Sequence, residues 1–145
     1  MVIHTLLMQR LSPKQITALL TAHTVRPTRQ RLALAMHLFS GPHRHVTAET
    51  LHREVQAEGH TVSLATVYNT LNHFHTLGLL GEVSLKPGST WFDTNTEHHF
   101  HAFHEETGAL WDIDPAEIGP VAVAGLPEGM ELARMDVVIR VRSKE

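Results

Sequence analysis

The sequence predicts an α+β protein with two modules, residues 1–94 and residues 95–145. Apolar residues recur at helical spacing in the first half, and the period changes to two after Gly78. The charge also changes along the chain: residues 1–96 carry eight basic and five acidic side chains, whereas residues 97–145 carry four and ten. This asymmetry suits a first module that faces phosphate and a second that faces cations, although such segregation also arises by chance.

The first two helices are predicted from their start and stop residues. Ser12 before Pro13 is typical of a helix N-terminus, because proline is preorganised for the first helical position. Thr28 caps the second helix, which ends before Gly41. The apolar residues that these helices are expected to bury are Ile16, Leu19 and Leu20 in the first and Leu32, Ala35, Met36 and Phe39 in the second.

Two further helices are predicted in the same way. Thr47 caps a third helix that stops at Gly59, and Ser63 caps a fourth that stops at Gly78. The apolar residues that the fourth helix is expected to bury are Leu64, Val67, Leu71 and Phe74.

A β-hairpin is predicted after the fourth helix. The segments LLGEVSL and STWFD flank the turn KPGS, residues 86–89, in which proline presets the second position and glycine supplies the positive φ of the third. Helix, turn, helix and then a hairpin is the order of a winged helix-turn-helix, whose last helix enters the major groove of DNA. The helix at residues 63–77 is therefore the expected DNA reader.

The reader helix carries small polar side chains of the kind that contact phosphates and base edges. The segment RPTRQR at the start of the second helix is well placed for a flanking phosphate or the minor groove. The alternative is an ordinary solvated helix face. The residues expected to bind DNA are Arg26, Arg29, Ser63, Thr66, Tyr68, Asn69 and Thr70.

The segment EHHFHAFHEE, residues 97–106, holds four of the chain's 13 histidines. Alternation along a strand would place His99 and His101 on one face, opposite to His98 and His104. Two imidazoles on one face can bind one metal ion. A histidine-rich exposed edge is one alternative, and a helix with His98, His101 and His104 at spacing three is another. The sequence GALWDID resembles a returning strand, which favours a second hairpin.

Composition limits the class of function. The 145-residue chain has no cysteine, which excludes disulfides, thiol catalysis and thiolate zinc sites, so any metal needs imidazole and carboxylate ligands. No signal-peptide pattern and no apolar run of about 20 residues is present, so we expect a cytoplasmic protein without membrane contact. A metallohydrolase is disfavoured because no HExxH motif occurs, and a metal-storage protein would not explain a reader helix followed by a wing.

Several motifs occur in an order that resembles the ferric uptake regulator (Fur) superfamily: VRPTRQRLAL, HVTAETLH, VSLATVYNTLNHF, GLL, WFDTN, HHFH and GALWDI. Within it, PTRQR, VSLATVYNTL, FDTN and LPEGMELARMDVVIRVR resemble the iron response regulator (Irr) branch. The resemblance covers residues 12–142 and implies a homodimer, with a winged helix-turn-helix joined to a small α/β dimerisation domain. Strands near residues 98–103, 108–113 and 130–142 are expected to form the dimer core, with Val137, Ile139 and Val141 on one apolar face.

The family resemblance also implies a metal site shared by the two modules. Carried over by motif, its ligands are His45, Asp93, His99, His101 and Asp112, which suit Fe(II), Mn(II) or Zn(II). The cysteine-based structural zinc site of many relatives is expected to be missing, because its positions read His104 and Thr107. Another common metal site is expected to be lost as well, since Phe100 stands between the strand histidines and no histidine follows His104.

The Irr resemblance further implies haem sensing. His98, His99, His101 and His104 are the expected axial ligands, since histidine is a common ligand of haem iron. The protein would then repress transcription when iron is scarce, release its double-stranded DNA operator when haem or metal binds, and receive haem from a delivering partner. The alternative is a repressor that Fe(II), Mn(II) or Zn(II) activates. The sequence leaves open which effector is physiological and whether its binding promotes or releases DNA.

Overall fold

The computed structural model describes residues 11–86 and 89–145, which form two compact units, one ending at Glu97 and one spanning His98–Glu145. The elements of the first unit are α1 (Pro13–Ala22), α2 (Arg29–Phe39), β1 (His45–Val46), α3 (Ala48–Ala57), α4 (Leu64–Thr76), β2 (Gly81–Lys86) and β3 (Ser89–Asp93). Those of the second are β4 (Phe100–His104), β5 (Leu110–Ile113), α5 (Pro115–Ile118) and β6 (Val138–Val141). The α+β class is confirmed. Over the described ranges, no helix is long and apolar enough to cross a membrane.

All four helix starts that the sequence predicts are capped as expected. The hydroxyl of Ser12, Thr28, Thr47 or Ser63 accepts a hydrogen bond from the backbone N–H three residues later, at 3.1–3.3 Å. Gln15 completes a capping box by accepting from the Ser12 N–H at 2.8 Å. Each cap stabilises its helix by about 1 kcal/mol relative to alanine. The helix boundaries are therefore set by local sequence.

The core of the first unit lies among its helices and β3. Phe39, Phe74 and Phe92 are fully buried in it, and the ring centroids of Phe39 and Phe74 are 6.3 Å apart. Large aromatic side chains contribute most to such a core, because each removes a large apolar surface from water. This core fixes how α4 and the hairpin strands are positioned.

Two expectations about this core are wrong. Leu64, the first residue of α4, is 37% exposed, whereas Val67, Leu71 and Phe74 of the same helix are buried as expected. In α2 the buried face is centred on Leu34 and Leu38, whereas Leu32 and Met36 are only partly buried at its margin. Ala35 and Phe39 are buried as expected, so the predicted stripe overlaps the observed one and is shifted around the helix.

The sheet of the first unit has the order β1-β3-β2, with antiparallel neighbours. Strands β2 and β3 form the expected hairpin, although its turn residues Pro87 and Gly88 lie outside the described residues. Strand β1 pairs with the end of β3, so that His45 is directly opposite Asp93. The sequence did not predict β1, since a strand of two residues carries no detectable period.

The sheet of the second unit has the order β5-β4-β6. Strands β4 and β5 form the second hairpin that the sequence predicts, with His101 opposite Asp112. Strand β6 is parallel to β4 and covers only four residues, so the expectation of a strand over residues 130–142 is wrong for residues 130–137. The pairing of β6 with β4 starts at Val138, one residue after Val137, whose carbonyl accepts a hydrogen bond from the His101 N–H at 3.1 Å.

Candidate metal centre and nucleic-acid interface

Two histidines and one carboxylate of the second unit converge on one side of the β4–β5 hairpin. His101 and Asp112 are cross-strand partners, and His99 lies two residues before His101. The Nε2 atoms of His99 and His101 are 3.0 Å apart. Asp112 Oδ1 lies 3.1 Å from His99 Nε2 and 3.6 Å from His101 Nε2. The expectation that the two histidines share one face is confirmed.

These distances fit neighbouring ligands of one divalent ion. With metal–ligand bonds of about 2.1 Å, adjacent ligand atoms are about 3.0 Å apart in octahedral geometry and about 3.4 Å apart in tetrahedral geometry. The three separations of 3.0, 3.1 and 3.6 Å lie close to these values. Two histidines and one carboxylate in adjacent positions are also the ligand set of many non-haem Fe(II) sites.

The electrostatics of these three side chains favour a positive charge among them. The side chains of His99 and His101 are each 11% exposed, and that of Asp112 is 36% exposed. Two unprotonated Nε2 atoms both carry lone pairs, so they repel at 3.0 Å unless a proton or a cation lies between them. The Asp112 carboxylate adds a negative charge at the same point. A divalent cation between the three side chains would bind both lone pairs and offset the charge of the carboxylate.

A second pair of potential ligands lies in the first unit, at the end of the hairpin. His45 Nε2 is 3.0 Å from Asp93 Oδ2. The other carboxylate oxygen of Asp93 accepts a hydrogen bond from the Asn95 N–H at 2.9 Å. Asp93 is only 1% exposed, and a buried carboxylate needs such partners to offset its desolvation. The antiparallel register of β1 and β3 is what brings the two residues together.

The backbone beside both of these residues is held by Arg44. Its Nη1 and Nη2 donate to Glu54 Oε1 and Oε2 at 2.8 and 2.7 Å, and this hydrogen bonding is the main cause that lowers the pKa of Glu54. The Arg44 N–H donates to Thr94 Oγ1 at 2.9 Å, and its carbonyl accepts from the Thr94 N–H at 3.1 Å. Arg44 precedes His45 and Thr94 follows Asp93. The residues next to both potential ligands are therefore fixed by the fold.

His98 does not join the pair formed by His99 and His101. It is exposed, and its ring packs edge-on against Phe100 with the centroids 5.3 Å apart. It lies in a bend two residues before β4, so strand alternation does not set its direction. The role of His98 as a cofactor ligand therefore stays a prediction.

His104 is engaged in the turn between β4 and β5 instead of a cofactor site. Its Nδ1 accepts hydrogen bonds from the N–H groups of Glu106 and Thr107, both at 3.2 Å. The proton therefore resides on Nε2, which donates to Ser143 Oγ at 3.0 Å. Both ring nitrogens have protein partners that a cofactor would have to displace, and the role of His104 as a cofactor ligand stays a prediction.

The reader helix α4 has its polar side chains in three different settings. Asn69 is exposed. Ser63 and Thr66 form the helix cap, where the Ser63 hydroxyl donates to Thr66 Oγ1 at 2.9 Å. Thr70 is 7% exposed and lies one turn after Val67 on the core face, so the expectation that Thr70 contacts DNA is wrong.

Tyr68 has a partner that the sequence did not reveal. Its ring packs against the core, and its hydroxyl donates to Glu49 Oε1, in the first turn of α3, at 2.7 Å. This hydrogen bond lowers the pKa of Glu49 and raises the pKa of Tyr68. No periodicity or motif relates these two residues, because they lie 19 positions apart on different helices.

The arginines around the start of α2 are accessible. Arg26 and Arg29 are exposed, and Arg31 Nη1 donates to the Arg26 carbonyl at 3.1 Å, which ties this segment to the helix. Arg29 also lines a cleft of about 420 Å³ together with His60 and Thr61. Guanidinium groups at such positions can reach a phosphate.

Comparison with known proteins identifies the relatives of this chain. Residues 22–140 match the family model described as the ferric uptake regulator family. Over 97 residues the chain is 32% identical to the peroxide-responsive repressor PerR of Staphylococcus aureus (strain USA300), and the match covers 67% of this chain. The chain therefore spans 65% of the length of that curated relative.

Two solved structures have a similar fold. The ferric uptake regulator of Pseudomonas aeruginosa with manganese has a TM-score of 0.68 at 26% identity, covering 89% of this chain and 98% of that one. The ferric uptake regulator Fur of Helicobacter pylori, which has three functional metal binding sites, has a TM-score of 0.69 over 94% of each chain. At 15% identity the latter supports the fold alone.

Proposed function

We propose that this chain, which belongs to the ferric uptake regulator family, is a metal-responsive transcriptional regulator that binds double-stranded DNA as a homodimer in the cytoplasm. The observation that carries the proposal is the proximity of three side chains that can bind a metal ion, His99, His101 and Asp112. A capped reader helix followed by a hairpin supplies the second requirement, a DNA-binding unit. Regulation follows if binding at these ligands changes the affinity for DNA.

We further propose that His45 and Asp93 complete the coordination of the ion that His99, His101 and Asp112 bind. Neither set alone fills the coordination sphere of a transition metal. Together they offer three imidazole nitrogens and two carboxylates, which suit Fe(II), Mn(II) and Zn(II). Because the first pair belongs to the proposed DNA-binding domain (1–94) and the others to the proposed sensing domain (95–145), metal binding and DNA binding would strengthen or weaken each other by the same factor.

The experiment compares DNA affinity of the apo, Mn(II)-loaded, Zn(II)-loaded and haem-loaded protein, using duplexes selected from promoter fragments. His99→Ala should weaken Mn(II) binding and remove the metal dependence of DNA affinity. His98→Ala is the matched control, since it removes a neighbouring, exposed imidazole that packs against Phe100. Equal metal affinity in the two variants would contradict the proposed ligands. Loss of apo-protein DNA binding in His99→Ala would instead indicate a folding role.

We also propose haem as a candidate effector, and the Irr resemblance supports this proposal. The geometry limits how haem would bind. Two nitrogens on opposite faces of one iron would be about 4 Å apart at bond lengths of about 2.0–2.1 Å, whereas the Nε2 atoms of His99 and His101 are 3.0 Å apart. One of them at most would serve as an axial ligand, and haem would then compete with a divalent ion for this side chain. A haem titration with and without saturating Mn(II) tests this competition.

A response to peroxide is a second candidate, favoured by the 32% identity to a peroxide-responsive repressor. A cysteine-based response is impossible in a chain without cysteine, so the reaction would have to occur at the metal. Fe(II) reacts with hydrogen peroxide, whereas Zn(II) has no redox chemistry. Hydrogen peroxide should then abolish metal-dependent DNA binding of the Fe(II)-loaded protein and leave the Zn(II)-loaded protein unchanged. Equal sensitivity of the two forms would refute this candidate.

A further inference from the structure

The contact between Tyr68 and Glu49 lies where the reader helix meets the preceding helix. Tyr68 is adjacent to the exposed Asn69, and its ring is held against the core. Its hydroxyl donates its single proton to Glu49 Oε1 at 2.7 Å, a short charge-assisted hydrogen bond. Glu49 itself is exposed. A carboxylate at this place would repel the phosphates of bound DNA, so its presence needs an explanation.

We propose that Glu49 is a positioning residue that makes Tyr68 a reader of hydrogen-bond donors, selecting adenine or cytosine edges in the major groove. This inference rests on the proposed DNA-binding function and deepens it by naming a determinant of base preference. It depends on the direction of one hydrogen bond between two described residues.

This selectivity follows from the chemistry of a phenol. A tyrosine hydroxyl has one proton to donate and two lone pairs that accept. With the proton committed to Glu49, Tyr68 can only accept. In the major groove the amino groups of adenine and cytosine are donors, whereas guanine N7 and O6, thymine O4 and phosphate oxygens are acceptors. Tyr68 would therefore be matched to adenine or cytosine and would be repelled by guanine and by the backbone.

The ordinary explanation for Glu49 is helix stabilisation, since an acidic residue in the first turn interacts favourably with the helix dipole. That role needs no contact with Tyr68 and predicts no effect on base preference. The 2.7 Å hydrogen bond is the feature that it leaves unexplained. The two explanations therefore differ in what the tyrosine should do when Glu49 is replaced.

The first test needs no DNA. Tyr68 is the only tyrosine in the chain, so the tyrosine signals of the whole protein report on this one side chain. The hydrogen bond to Glu49 raises the pKa of Tyr68, and Glu49→Ala should bring its titration back toward about 10. The tyrosine Fermi doublet in the Raman spectrum at neutral pH should also change from a strong donor pattern to that of a solvated phenol. Glu58→Gln, which removes an exposed carboxylate from the end of α3, should change neither signal.

The second test measures base discrimination on a selected duplex and its single-base variants. Glu49→Ala should reduce discrimination against guanine at one position per half-site by roughly two- to tenfold. Glu49→Gln keeps an oxygen that accepts the tyrosine proton, so it should keep the discrimination while binding all duplexes more tightly. Tyr68→Phe should lose the discrimination, and adding Glu49→Ala to it should then change the discrimination no further.

The outcomes separate this inference from the proposed function. If no duplex is bound by the wild-type protein in any loaded state, the proposed function fails, while the titration still reports whether Glu49 holds the tyrosine. If duplexes are bound but Glu49→Ala changes the affinity for every duplex by the same factor, Glu49 acts only through its charge and the inference is overturned. The same change would then occur in the Tyr68→Phe background. A wild-type tyrosine that titrates like that of Glu49→Ala overturns it as well. Thermal denaturation of each variant identifies any that fail to fold.

Discussion

Glu54→Gln tests whether an ion pair stabilises the segment that carries His45. The pair between Arg44 and Glu54 is bidentate, with side chains that are 31% and 32% exposed. Exposed pairs contribute about 0–1 kcal/mol, and a bidentate, charge-assisted geometry lies at the upper end of this range even after solvent screening. We expect Glu54→Gln to lower the free energy of unfolding by about 1 kcal/mol at pH 7. For a domain of roughly 100 residues this corresponds to a decrease in Tm of about 4–8 °C.

The pH dependence of this effect follows from the pKa of Glu54, which Arg44 lowers below the ordinary value of 4.5. A carboxyl group with a lower pKa in the folded state stabilises the fold fully at pH values above its unfolded-state pKa. This contribution is lost as the pH falls through the folded-state pKa. Wild type and Glu54→Gln should therefore differ in stability at pH 7 and converge below about pH 4.

Urea denaturation followed by circular dichroism, at a series of pH values between these limits, measures the difference. Glu58→Gln is the control, because its carboxylate is 65% exposed and lies 3.3 Å from His37 Nε2 instead of Arg44. Equal stability of wild type and Glu54→Gln at pH 7 would refute the reasoning. A stability difference that stays constant from pH 7 to below about pH 4 would also refute the reasoning, because its cause would not be the charge of Glu54.

Three further results are expected. His101→Ala should weaken Mn(II) binding in calorimetry far more than His104→Ala, because the His104 nitrogens are engaged within the β4–β5 turn and by Ser143; equal losses would contradict the assignment. Arg26→Ala should weaken binding to all duplexes and reduce the slope of log K against log salt by roughly 1. Asn69→Ala should keep this slope and lose about 1–3 kcal/mol of discrimination between bases at A·T positions. If both variants lose affinity uniformly for all duplexes, the result would argue against base reading. Ile139→Asp should shift sedimentation toward the monomer, since Ile139 is only half-buried in one chain; an unchanged species would place the dimer contact elsewhere.

The helices of this protein were predictable because their signals are local. Ser63 and Thr47 cap their helices through the backbone three residues away, and the sequence shows both ends of such a contact. Strand β1 was not predictable, since its two residues become a strand only by pairing with β3, more than 40 positions later. Thr70 shows the intermediate case: its polarity favoured an exposed position, but its spacing from Val67 places it in the core. For Thr70, the helical spacing from Val67 predicts burial correctly, whereas the polarity of its side chain does not.

The candidate site divides in the same way. Alternation along the chain was enough to place His99 and His101 together. Asp112 required the family pattern, because only the register of the β4–β5 hairpin makes it the partner of His101. His104 Nε2 contacts Ser143, 39 residues away, and no local rule predicts that contact. What the sequence could not supply is the set of contacts made between elements.

Asp93 is a proposed metal ligand that lies near the end of the first unit. One of its oxygens faces His45 at 3.0 Å, and the other accepts from the Asn95 N–H at 2.9 Å. Asn95 Oδ1 in turn accepts from the Glu97 N–H at 3.1 Å, so two successive side-chain contacts fix the backbone up to the last residue of this unit. A carboxylate that shares its charge with a divalent ion is a weaker acceptor for its remaining hydrogen bond.

Metal binding at Asp93 should therefore change the backbone first at residues 95–97. We expect faster amide hydrogen exchange of Asn95 and Glu97 when Mn(II) is added, because the hydrogen bond that protects the Asn95 N–H weakens and the next one depends on it. The caps at Ser12 and Ser63 serve as internal controls, since neither residue adjoins His45 or Asp93. Exchange that slows at residues 95–97, or that changes equally at the two caps, would show that the ion acts on the whole unit and not through this carboxylate.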